Sequence, residues 1–204
     1  MHDIKIAFKS IKKYKISLLN LLKYLGYLLL MLIFQIIHNV DFVKYKIYDN
    51  DNIHNAYEMT DIFSLNKILR DMEINSNDSI LDIGCGKGAA LYKFSKYFKN
   101  IYGVEFNKDI YNICCENMDK LNIHANIVND DIDNYIIPDN VNYIFMFNPF
   151  SGETMKNTIS KIKSGTILIY HNPLCENMLY KNNFAELKEY KDALGININV
   201  YKKL

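Results

Sequence analysis

Tryptophan is absent from the 204 residues, and proline and glycine are scarce, at three and eight. So few breakers leave little room for long structureless loops and exclude a collagen-like or disordered chain. Charge of one sign is lacking as well: 24 basic residues face 23 acidic ones, for a net charge of +1. A protein that grips nucleic acid along its whole face is therefore not expected. The four cysteines, at 85, 114, 115 and 175, are too few for a disulfide-dense scaffold and show no metal-ligand spacing, and the adjacent pair cannot easily bridge itself. Reduced structural thiols in a reducing compartment are predicted. What is present is a chain half apolar, with 16 tyrosines and 11 phenylalanines for bulk, long enough for one domain and a short appendage.

The charge is unevenly spread. Residues 1–40 hold Lys5, Lys9, Lys12, Lys13, Lys15 and Lys23 against Asp3, a net +5, which leaves residues 41–204 near −4. From Ile4 to about Leu25 the spacing predicts a basic amphipathic helix, with Lys5, Lys9, Lys12, Lys13, Asn20 and Lys23 on one side and Ile4, Ile11, Leu18, Leu22 and Leu25 on the other. It runs into Tyr24–Ile37, an apolar stretch of about 14 residues, short of the roughly 20 that span a bilayer. No small-residue cleavage site follows, so a signal peptide is not predicted. Three placements stay open for this arm: lying in a membrane interface, packed on the body or a second subunit, or spanning. The first is favoured, because a span led by lysines would place the body outside the cytoplasm.

The body, 41–204, alternates helix and strand. Asp61–Glu73 has helical spacing of apolar residues, and Ser79–Ile83 is a short buried strand. Helices are predicted over Ala89–Phe98, Ile110–Leu121, Thr154–Lys163 and Cys175–Asn182. Strands are predicted over Ile101–Glu105, Asn126–Asn129, Val141–Phe147 and Thr166–His171. Phe184–Lys191 and Ile196–Lys202 read as a terminal hairpin about Asp192–Gly195. Such alternation predicts a parallel α/β sheet covered on both faces, with an antiparallel strand at or near one edge.

The strongest chemical signal is Asp82-Ile83-Gly84-Cys85-Gly86-Lys87-Gly88, a strand that delivers an acid and turns on three glycines into a helix. The turn requires positive φ, the bare backbone admits a ligand closely, and the helix start offers N–H groups. Glu105 ends the second strand, 19 residues after Gly86, where an acid can take both hydroxyls of a ribose. Gly84-x-Gly86-x-x-Ala89 also fits a dinucleotide fingerprint, so the glycines alone do not choose the ligand. Asp82 does discriminate: a pyrophosphate would be repelled there and an ammonium attracted. Asn129-Asp130-Asp131 follows the third strand, and Asn148-Pro149-Phe150 closes the fourth, at the carboxyl edge where ligands sit in such sheets.

On these residues the stretch from about Ser79 to Lys202 resembles a class I S-adenosylmethionine-dependent methyltransferase. The resemblance implies a Rossmann-like seven-stranded sheet, mostly parallel with an antiparallel C-terminal hairpin, preceded here by the helical arm 1–40. It implies S-adenosylmethionine as cofactor and S-adenosylhomocysteine as product. Asp82, Gly84 and Gly86 would line the methionine end, Glu105 would hold the ribose, and Asp131 with the backbone at Ile132 would contact the adenine; Cys85, Gly88, Phe106 and Asn148 would also touch the cofactor. Asn148, Pro149 and Phe150 would stand at the transferred methyl. They resemble a shortened form of the Asn-Pro-Pro-Tyr/Phe motif of N-methyltransferases, so a nitrogen acceptor is slightly favoured over oxygen. Phe147–Phe150 and Tyr170-His171-Asn172-Pro173 together resemble a group of small bacterial methyltransferases.

His171 is the candidate general base, needed only for a protonated acceptor. Tyr57 and Thr60 are candidates to fold over the cofactor, and His124 lies on the edge away from the site. No metal is expected. The expected partners are an unidentified methyl acceptor (a small molecule, a protein or a lipid-linked group), the inner membrane surface through residues 1–40, and a second copy of the chain. The expected location is the cytoplasm, peripheral on the inner face of the membrane. The alternative from another class is a catalytically inactive cofactor-binding or partner-subunit protein of the same fold.

Overall fold

Short apolar runs separated by turn residues become strands here because helices cover both faces of the sheet they build. The computed structural model describes residues 17–43 and 59–204. Five strands run parallel: β1 (Ser79–Ile83), β2 (Asn100–Glu105), β3 (Asn126–Asn129), β4 (Tyr143–Phe147) and β5 (Ile167–His171). The hairpin strands are β6 (Phe184–Lys191) and β7 (Asn197–Lys203). The sheet order is β3-β2-β1-β4-β5-β7-β6, with β7 antiparallel to both of its neighbours. The seven-stranded sheet and its antiparallel terminal hairpin are as expected. The register sets Asp82 between Gly103 and Phe145, and His171 between Phe147 and Ile198.

Side chains of β1 alternate between two apolar layers: Ile80 joins one, Leu81 and Ile83 the other. The first layer holds α1 (Leu18–His38), α2 (Ile62–Arg70), α3 (Ala89–Phe94) and α4 (Lys108–Lys120); the second holds α5 (Gly152–Lys161) and α6 (Glu176–Lys181). Side chains fix the helix starts. Asp61 accepts the N–H groups of Phe63 and Ser64, and Asn107 those of Asp109 and Ile110. Helix α3 stops four residues short of the predicted end. Beyond it the backbone tightens to Lys96 N–H to Lys93 O and Tyr97 N–H to Phe94 O, and the Ser95 hydroxyl turns back onto Tyr92 O. Phe94 and Phe98 still pack edge to face at 6.2 Å, which is why their spacing reads as continuous helix.

Helix α1 is longer than its apolar run predicts. It has 21 residues and is long and apolar enough, by length and composition, to cross a membrane. It nevertheless shares the core of the body. Tyr27 and Met31 are buried, the Tyr27 hydroxyl donates to Thr60 O at 2.6 Å, and its ring meets Phe63 edge on. Burial and the neighbouring Asp61 push that phenol's pKa upward, so it stays protonated. Asn20 donates to Leu194 O at 3.3 Å, in the turn of the hairpin. At the other end Asn39 takes a left-handed φ of 53°, and Gln35 Oε1 accepts the N–H groups of Phe42 and Val43, which turns the chain back. The basic stretch 4–16 expected to extend this helix lies outside the described residues.

Candidate cofactor and active site

The turn from β1 to α3 is built by close approaches. At Gly84, where φ is +73°, a Cβ would stand 2.9 Å from Pro149 Cβ. The missing side chain therefore seats the segment after β4 directly on the first glycine. At Gly88, where φ is +87°, a Cβ would meet Met118 Cε at 2.8 Å and Cys114 Sγ at 2.9 Å. The bare Cα of that glycine lets α4 pack closely against the turn. The Cys85 side chain is buried against Gly103, and its hydrogen bond with Cys114, followed by burial, raises its pKa. Only its backbone belongs to the turn. Gly86 N–H donates to Glu105 Oε2 at 2.9 Å, so the glycine turn and the end of β2 are tied together.

The two acids differ. Asp82 is buried, and its Oδ2 has no hydrogen-bond partner. Burial first and Glu105 second raise its pKa well above the ordinary carboxylate range. An orphaned buried carboxyl oxygen is costly unless something arrives to satisfy it, and an ammonium fits that need. Glu105 is held from both sides, its Oε1 accepting Asn107 N–H at 2.9 Å. Phe106 beside it is half exposed, while Asn129 bridges the carbonyls of Glu105 and Phe106. Asp131 accepts Asp133 N–H, and its own N–H donates to Asp130. Ile132 is buried in the second layer, so only its backbone is placed to meet a ligand.

At the ends of β4 and β5 the structure sorts the expected catalytic residues. Asn148 takes a left-handed φ of 38°, and its Oδ1 accepts the Tyr170 hydroxyl at 3.3 Å. Pro149 sits on Gly84, as above. Phe150 is buried in the second apolar layer, so its side chain is a packing group rather than an acceptor contact. His171 is 1% exposed; its Nε2 lies 2.9 Å from Asp192 Oδ2, and its ring stacks on Phe147 with centroids 3.8 Å apart. That burial and the Asp192 contact are what a structural histidine shows, and they set the ring apart from the exposed surface. Its Nδ1 is buried without a partner.

Three features escaped the sequence reading. Lys87, inside the glycine turn, is buried and paired with Asp41 at 3.0 Å. Asn117 donates to the carbonyls of both Asp41 and Lys87 and accepts Asp41 N–H, so the segment after α1 is pinned to the turn. The signal was present: Asn117 interrupts the apolar face of α4 formed by Ile110, Cys114 and Met118. Tyr170 as the partner of Asn148, and Asp192 as the partner of His171, left no comparable trace. Thr60 is buried, with its carbonyl engaged by Tyr27, and Tyr57 lies outside the described residues. His124 lines a cleft beside Asn100 and Asn126, at the amino edge away from the turn, as expected. The cysteines are free, and no metal-holding cluster of His, Cys, Asp or Glu occurs among the described residues.

Residues 80–164 match the family described as a methyltransferase domain. Over 79 residues the chain is 29% identical to an rRNA adenine N-6-methyltransferase of Streptococcus sanguinis, covering 39% of this chain and 32% of that protein. The chain thus spans about a third of the length of that curated relative. Among solved structures, a SAM-dependent methyltransferase from Aquifex aeolicus superposes with a TM-score of 0.56 at 17% identity, over 67% of this chain and 87% of that one. One described as S-adenosylmethionine-dependent, from Clostridium acetobutylicum, gives 0.58 at 11% identity over 87% and 98%. The sheet order is thus one shared with solved S-adenosylmethionine-dependent methyltransferases, and the match to the methyltransferase-domain family covers the part of the sheet that carries the glycine turn.

Proposed function

We propose that the chain moves a methyl group from S-adenosylmethionine to an acceptor held above the ends of β1 and β4, with a nitrogen acceptor favoured. The observation that carries this reading is the seating of Pro149 on Gly84, which puts Asn148 beside the glycine turn. Bound S-adenosylmethionine supplies an electrophilic methyl on a sulfonium that is its own leaving group. The orphaned Asp82 Oδ2 would take the ammonium of the methionine moiety. Glu105, immobilised by Gly86 and Asn107, would take the ribose hydroxyls. Phe106 and the backbone about Asp131 and Ile132 would border the adenine.

Asn148 would then position the acceptor. Its amide is oriented by Tyr170. An amide oxygen beside the methyl can accept from an amino group, which would align that group's own lone pair with the methyl. Burial pushes the Tyr170 phenol pKa upward, so it remains a donor at neutral pH. The partial likeness to an enzyme named for adenine N-6 methylation supports the same preference, since that position is an exocyclic amine. A neutral amine needs no base before attack, which agrees with the burial of His171. What the enzyme must supply is alignment and exclusion of water.

The test is calorimetric titration of the full chain with S-adenosylmethionine, S-adenosylhomocysteine and NAD. Micromolar binding of the first two, lost in an Asp82→Asn, Glu105→Ala variant, is expected. Binding of NAD alone would overturn the reading. If both adenosyl ligands bind, Asn148→Ala should leave their affinity unchanged and abolish labelling of an amine acceptor. Cofactor binding without transfer to any acceptor would instead favour an inactive cofactor-binding protein.

A further inference from the structure

Helix α1 uses one face to join the body and leaves the other bare. Asn20, Tyr24, Tyr27, Met31, Phe34 and Gln35 point inward, at helical spacing. Outward, ten leucines and isoleucines between Leu18 and Ile37 are 43% to 80% exposed. A soluble monomer seldom leaves so many adjacent apolar side chains in water. This surface is also not purely apolar at its border. A cleft of about 690 Å³ opens beside it, between α1, α2 and the hairpin, with Leu29, Leu30 and Phe63 in its wall and Lys23, Lys67 and Lys191 around it. All three lysines are exposed, and none has a carboxylate partner among the described residues. The one acid in the lining, Asp61, is consumed by Phe63, Ser64 and Ala193.

We infer that this face is a docking surface for an anionic lipid bilayer. An apolar helical face bordered by lysines that no carboxylate neutralises among the described residues is complementary to a layer of acyl chains under anionic headgroups. A second copy of the chain would match the apolar part but would bring its own lysines against these. The five further lysines between Lys5 and Lys15 add to the same charge in sequence. Because Tyr27 and Met31 are buried in the body, α1 is held lengthwise along it, which suits lying on a bilayer and not crossing one. The Asn20 contact to the hairpin turn also keeps the carboxyl edge of β5, where His171 meets Ile198, on the side of the docked helix. The inference is independent of the methyl-transfer reading.

The test is flotation of the full chain with vesicles of phosphatidylcholine alone and of phosphatidylcholine mixed with phosphatidylglycerol. Binding to the anionic vesicles, and its weakening by salt, is expected. Lys67→Gln with Lys191→Gln should weaken it roughly thirtyfold. Leu22→Asp with Ile36→Asp should abolish it, while circular dichroism and the melting temperature stay unchanged, because both side chains are exposed. Equal binding to neutral and anionic vesicles would overturn the inference, as would no binding to either. Resistance of the bound chain to alkaline carbonate would overturn it in favour of a span. A dimer in solution that the two aspartates dissolve, without vesicle binding, would overturn it in favour of self-association.

Discussion

Two buried aspartates, Asp61 and Asp82, are opposites. Asp61 is 5% exposed and Asp82 2%. Asp61 accepts four hydrogen bonds: Phe63 and Ser64 N–H on one oxygen, the Ser64 hydroxyl and Ala193 N–H on the other. It caps α2 and clamps the hairpin turn to it. Asp82 leaves Oδ2 without any partner and has Glu105 as an electrostatic neighbour. A satisfied buried acid holds a fold together; an orphaned one weakens the free protein and is retained for what it binds. The difference separates an architectural carboxylate from a functional one at equal burial.

The comparison can be broken in order of expected effect. Asp61→Ala removes a helix cap and strands the Ala193 N–H, so it should cost about 3 kcal/mol of stability, read by denaturant unfolding. The folded fraction should bind S-adenosylmethionine as before. Asp82→Asn should do the reverse. Loss of a charge-assisted hydrogen bond should weaken S-adenosylmethionine by about 2 kcal/mol, roughly thirtyfold, while the unliganded protein melts no lower than wild type. If Asp82→Asn instead unfolds the chain and leaves affinity intact, the two acids are both structural.

A smaller effect sharpens the contrast through pH. Asp82 has a folded-state pKa raised above its unfolded value. Its contribution to stability is therefore fully present below the ordinary carboxylate pKa and is lost as pH rises through the raised one. Cofactor affinity runs the other way. The ammonium favours the carboxylate, so binding releases a proton, and affinity should climb by up to about tenfold per pH unit below the raised pKa, then level off. Calorimetry in buffers of different ionisation enthalpy reads that proton directly. A flat affinity between about pH 5 and 8, with no proton released, would count against Asp82 as the ammonium's partner.

How much of this was legible varies with the range of the interaction. Ser79–Ile83 ends in the Asp82–Gly88 turn, and the glycines there are demanded by local backbone geometry; β1 falls where the residues place it. Asn107 caps α4 and Asp61 caps α2 two or three residues away, again within reach of a local pattern. The candidate site was legible at Asp82, Glu105 and Asn148 as residue types at strand ends. Their partners were not. His171 reads as a candidate base at the end of the fifth strand until Asp192, 21 residues later, is seen to occupy its Nε2. That Gly88 also makes room for Met118 and Cys114 of α4 shows only once that helix is laid against it.

The sequence by itself therefore determined the order of elements, the glycine turn and the acids that flank it. Those follow from side-chain period and from backbone conformations that only certain residues tolerate, and both act within a few positions of the chain. Only the tertiary structure decided that Asp82 lacks a partner, that Lys87 is spent on Asp41, and that α1 buries Tyr27 and Met31 while exposing Leu22 and Ile36. Whether a charge is paired or an apolar face is covered depends on groups brought together from 33 to 132 residues apart, as in the Tyr27–Thr60 and Asp61–Ala193 hydrogen bonds. No local pattern carries that information, because satisfaction of a buried polar group is a property of everything packed around it.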